Sequence, residues 1–156
     1  SSVLKYYGKD TDPIKLDADL SANGGLGKDG LIVWNKVTEL YSDLSLEHII
    51  CGTDPAPLEK IDEALNNNFP VIVETRFGQD ENAMHFVVLT KKNGVYTCID
   101  PFYGDECSFN ERYGSPDRWI YSIAIFKSLA GNQMVQVPSD VFEKLVFNSS
   151  KCQKQV

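Results

Sequence analysis

"MHFVVLTKKNGVYTCIDP", Met84–Pro101, is the stretch whose reading decides the fold of this chain. Two runs rich in β-branched and aromatic residues, His85–Thr90 and Val95–Asp100, flank a Lys-Lys-Asn-Gly turn, which predicts an antiparallel hairpin. A four-residue loop over Lys91–Gly94 would pair Thr90 with Val95 and set His85 opposite Asp100. A two-residue Asn93-Gly94 turn would instead pair Lys92 with Val95, leaving His85 diagonal to Asp100. Side-chain direction alternates with period two, so either register puts the pair on one face. Their Cβ atoms should lie about 4.5–8 Å apart. An aspartate in that position can accept the imidazole N–H, fix its tautomer and stabilise the imidazolium, as a general base requires. The same geometry also serves a histidine that merely satisfies an aspartate at a sheet edge. Pro101 ends the second strand abruptly, and the polar "GQDENA" before Met84 reads as a loop. Both groups are therefore expected at one open end of a sheet, where sites are commonly built.

Outward from the hairpin, "PVIVET" and "WIYSIAIF" read as further strands of an antiparallel sheet. Earlier segments read as helices. "SSVLKYYG" ends at Gly8, and "DPIKLDADLSANGG" opens at Pro13 and closes at glycines. "KDGLIVWNKVTELY" repeats Trp34, Val37 and Tyr41 at helical spacing. "TDPAPLEKIDEALNNN" places Leu58, Ile61 and Leu65 on one face, with Thr53 or Asp54 near its cap. "LSLEHIIC" between them reads as a strand, and "SDVFEKLVF" as a closing helix. Helices first and sheet second predict an α+β domain. Its 156 residues suit a single domain with a real core, carrying a C-terminal extension from about residue 127.

A net charge of −7 without a basic stripe argues against a nucleic-acid partner. No apolar run is long enough for a membrane span. Cys51, Cys98, Cys107 and Cys152 lack paired spacing for structural zinc. Cys98 and Cys107 flank a turn-rich segment, and are either ordinary buried thiols or a pair bridged in an oxidising compartment. "GLGKDG", Gly25–Gly30, matches a dinucleotide pattern in letters only, because a helix rather than a strand precedes it. A Walker loop fails there too, since Asp29 follows Lys28. "DADLSANGG" lacks the glycine and the closing glutamate of a calcium loop. No cofactor or metal set is therefore expected.

Taken in order, "SVLKYYG", "LSANGGLGKDGLIVW", "NNNFPVIVET", "HFVVLT" and "YTCIDPFYG" resemble the C39-like peptidases, a branch of the papain-like cysteine proteases. The resemblance covers roughly residues 2–126. It implies a papain-like fold of N-terminal helices on an antiparallel sheet, with His85 as general base and Asp100 as its orienter. It also implies a nucleophilic cysteine about six residues, under two helical turns, before Ser1. That cysteine is absent from these 156 residues, so the domain is expected to be N-terminally truncated and inactive alone. Cys51-Gly52 imitates the family's Cys-Gly, but it follows a strand and is expected to be buried. His48, in that strand, reads as structural.

The resemblance implies thiolate attack on an amide and a peptide substrate, in proteins or in a bacterial cell-wall cross-link. The upstream remainder of the same polypeptide is a further candidate partner. Secreted, cell-surface or virion-associated settings are favoured over the cytoplasm. The competing expectation is a binding or structural domain that keeps the fold and has lost its nucleophile.

Overall fold

The structure is a computed structural model that describes residues 1–77, 80–92 and 94–129. The elements run α1 (Ser2–Tyr6), α2 (Pro13–Ala22), α3 (Trp34–Leu40), β1 (Leu44–Ile50), α4 (Leu58–Asn66), β2 (Val71–Phe77), β3 (Asp80–Lys92), β4 (Val95–Asp100), β5 (Asp105–Ser108), α5 (Phe109–Tyr113), α6 (Pro116–Trp119) and β6 (Ile120–Ser128). The strands form one six-stranded antiparallel sheet in the order β1-β6-β2-β3-β4-β5. The class is therefore α+β. The closing helix expected at Ser139–Phe147 lies outside the described residues.

The chain divides into two compact units, and the division falls within β1 and β6. The first holds Ser1–Leu46 with the end of β6 from Phe126. In this unit α1 ends and α2 begins as their sequences dictate. Asp12 caps α2 by accepting from the Lys15 N–H at 2.8 Å, with Pro13 in the first turn. Gly8, at φ +72°, closes α1, while Lys9 N–H donates to the Leu4 carbonyl at 3.0 Å. Within this unit Trp34 lies 6.3 Å from the Phe126 ring. The Tyr7 hydroxyl donates to the Phe126 carbonyl.

α3 corrects the expected helix over "KDGLIVWNKVTELY", because it begins only at Trp34. The preceding residues fold back on themselves. Leu26 bridges Ile32, Gly27 N–H donates to the Leu31 carbonyl at 2.8 Å, and Gly30 turns the chain at φ +79°. Asp29 completes this turn by accepting from the Leu31 N–H at 3.1 Å.

The second unit, Glu47–Ile125 among the described residues, holds the main apolar core. Val71, Val73, Val87, Leu89, Cys98, Ile123 and Ile125 point from β2, β3, β4 and β6 to one face of the sheet. Ile61 and Ala64 of α4, and Phe109 and Tyr113 of α5, cover them. The α4 stripe foreseen from Leu58, Ile61 and Leu65 does face this core. Its cap does not lie where it was expected. Pro57 precedes the first turn, and Thr53 and Asp54 lie in a separate turn, since residues before Pro55 and Pro57 are steered away from helical dihedrals.

β3 is longer than its apolar run. It starts at Asp80, inside the polar segment expected to be a loop, and pairs back to Phe77 after a register shift between Arg76 and Phe77. Ladder bonds belong to the backbone, so polar side chains did not prevent the strand. β5 and α5 arise in a stretch that no sequence pattern had assigned, and α6 takes in Trp119, which was expected to open the strand that begins at Ile120. Ser108 caps α5 by accepting from Glu111 N–H.

Candidate functional site

The hairpin takes the second of the two expected registers. Lys92 pairs with Val95, Leu89 with Cys98 and Val88 with Ile99. That ladder stops at Val88, so His85 sits where β3 overhangs β4, still paired on its other side with Thr75 of β2. His85 is thus not at the start of its strand, as expected, but it does lie beyond the last rung that β4 shares. The diagonal offset suffices for direct contact. His85 Nε2 lies 2.8 Å from Asp100 Oδ1, with the imidazole 15% exposed and the Asp100 carboxylate 0% exposed.

A buried carboxylate needs partners for both oxygens, and Asp100 has them. Phe102 N–H donates to Oδ1 at 3.0 Å, a turn that the aspartate makes with its own backbone before the chain continues into β5. Gly104, at φ +70°, closes that turn, its N–H donating to the Asp100 carbonyl at 2.8 Å. The Tyr113 hydroxyl and Arg112 Nη1 both donate to Oδ2, the latter at 3.1 Å. Burial alone would raise the Asp100 pKa. The hydrogen bonds from His85, Tyr113 and Phe102 outweigh it and hold the carboxyl well below the ordinary carboxylate range. Burial, and then the bond to Asp100, raise the Tyr113 phenol in turn. Asp100 is therefore ionised and fixed, as a partner that orients an imidazole must be.

Arg112 solves a second problem. Asp100 and Asp105 face each other across β4 and β5, an arrangement of like charges that destabilises a sheet. The guanidinium spans both carboxylates, with Nη1 2.7 Å and Nη2 2.8 Å from the two Asp105 oxygens. It also lies over the Tyr103 ring, 4.5 Å from its centroid. Arg76 Nε holds the end of α5 by donating to the Tyr113 carbonyl at 3.0 Å.

Neither Arg112 nor Tyr113 was foreseen as a site residue. One signal was present: Ser108-x-x-Glu111 has the spacing of a helix N-terminus, and a helix there carries Arg112 and Tyr113 back towards Asp100. Aromatic groups border the imidazole. Phe102 lies edge-on to His85 at 6.3 Å and Tyr113 lies 6.4 Å from it. Phe102, Tyr103 and Met84 are each at least 40% exposed.

Two of the cysteines meet the core to different extents, and Cys51, expected to be buried, is only partly so. Cys51 is partly buried against the core, where burial raises its thiol pKa. Cys98 lies on the His85 face of the sheet, fully buried in the core, with its thiol pKa raised well above the ordinary range by burial. His48 is lowered by burial, against an opposing pull from Glu74, whose carboxylate accepts from Ser122 at 2.8 Å. That environment suits a structural histidine. Among the described residues no cluster of His, Cys, Asp and Glu has the makings of a metal site, and no helix is long and apolar enough to cross a membrane. Comparison with protein-family models, curated proteins and solved structures finds no match for the chain.

Proposed function

We propose that this chain carries the base and the orienting carboxylate of a C39-like, papain-like cysteine peptidase. The nucleophilic thiol is supplied from residues that precede Ser1 in a longer polypeptide. The observation that carries this reading is the 2.8 Å contact between His85 Nε2 and a fully buried, multiply bonded Asp100.

With Nε2–H donated to Asp100, the proton taken from a thiol resides on Nδ1. His85 accepts that proton as the thiolate attacks a peptide carbonyl, and Asp100 stabilises the resulting imidazolium. The imidazolium then protonates the departing amine, leaving an acyl-enzyme. In the second half His85 takes a proton from water, the hydroxide formed attacks the thioester carbonyl, and the departing thiolate recovers that proton from His85. Phe102, Tyr103 and Met84 offer apolar surface beside the imidazole for a substrate side chain.

The experiment is peptide hydrolysis by the polypeptide extended upstream of Ser1. Cleavage should be present, and it should fall at least 100-fold in a His85→Ala variant. An extended chain whose aligned position holds Ser or Ala, or one that leaves peptides and cell-wall cross-links intact, would make this a domain that binds without cleaving.

A further inference from the structure

Independently of any peptidase chemistry, we propose that Cys98 and Cys107 form a reversible cross-strand disulfide that staples β4 to β5. The two residues are direct partners in the antiparallel ladder. Facing residues in such a ladder are separated by about 4.5–5.5 Å, within the range that a disulfide bridges without backbone movement. Both side chains point to the core face, and the free thiol sulfurs lie 2.7 Å apart, well inside ordinary non-bonded sulfur contact. Two strand neighbours already hold the sulfurs together, so closing the bond needs little further ordering.

The two thiols are not equivalent. Cys98 is fully buried, whereas Cys107 keeps partial exposure. Cys107 is therefore the entry point for a small disulfide of the glutathione type. Its thiolate attacks one sulfur of that reagent and expels one small thiol, giving a mixed disulfide. Cys98 then loses its proton and attacks the Cys107 sulfur, expelling the second small thiol. The reagent gains two electrons and two protons, and the protein loses the same. Burial raises both thiol pKa values, which makes each step slow but leaves the product shielded from solvent. The bond would sit two residues along the ladder from Asp100 and Asp105, the pair that Arg112 spans. Oxidation would therefore stiffen the corner that orients His85.

Both cysteines fall in one tryptic peptide, residues 93–112. The protein should be equilibrated with oxidised glutathione, blocked with iodoacetamide and digested without reduction. The expected product is that peptide unalkylated and two hydrogen masses lighter, together with a melting temperature roughly 5–10 °C above that of the dithiothreitol-treated protein. Alkylation of both cysteines would overturn the proposal. So would a stable glutathione adduct on Cys107, or a bond from either residue to Cys51 or Cys152.

Discussion

Asp100 is a carboxylate with no exposed surface and donors on both oxygens, and its ionisation is tied to the stability of the fold. Because its folded pKa lies below the value near 3.9 of the unfolded chain, the stabilisation is fully present above about pH 5. It is lost as the pH falls through the unfolded value towards the folded one. Asp100→Asn turns one acceptor oxygen into an NH2 that faces two of the four donors, and should cost about 2–3 kcal/mol at neutral pH. Urea unfolding between about pH 7 and pH 3 should then show a flatter acid limb for the variant, with the two curves converging as the pH falls. Parallel curves would mean that Asp100 is not the titrating group.

Elements decide whether that carboxylate is met at all. Tyr113 reaches Asp100 because α5 ends there, and α5 ends where Gly114 adopts φ +94°. A Cβ at Gly114 would stand 2.8 Å from the Trp119 ring, which itself stacks beneath Arg76. Gly114→Ala therefore combines a strained backbone with a steric conflict, and should cost about 2 kcal/mol or more in urea unfolding. A neutral result would show that this turn is free to relax.

Much of the site was legible from the sequence at this scale, and the reasons differ by element. The hairpin from Met84 to Pro101 carries period-two alternation and a turn with few options. It therefore placed His85 and Asp100 on one face before either was seen. The choice between registers needed the ladder itself. The start of β3 was not legible, since Asp80 pairs with Phe77 through its backbone and Asp80–Ala83 show no apolar alternation. The α5 segment is five residues long, too short for helical periodicity to show, so Arg112 and Tyr113 escaped notice.

Across the whole molecule, the described residues hold the paired His85 and Asp100, and the proposed chemistry needs a thiol beyond them. A thiol activated by an imidazole forms thiolate at a pH where an ordinary cysteine does not. The most direct measurement is therefore the rate of iodoacetamide labelling of the proposed upstream cysteine, followed against pH in the extended polypeptide. The account predicts labelling that stays fast well below the ordinary thiol range near 8.5, and a limb that moves up to about 8.5 in His85→Ala. A wild-type profile already centred near 8.5 and unchanged by His85→Ala would contradict it.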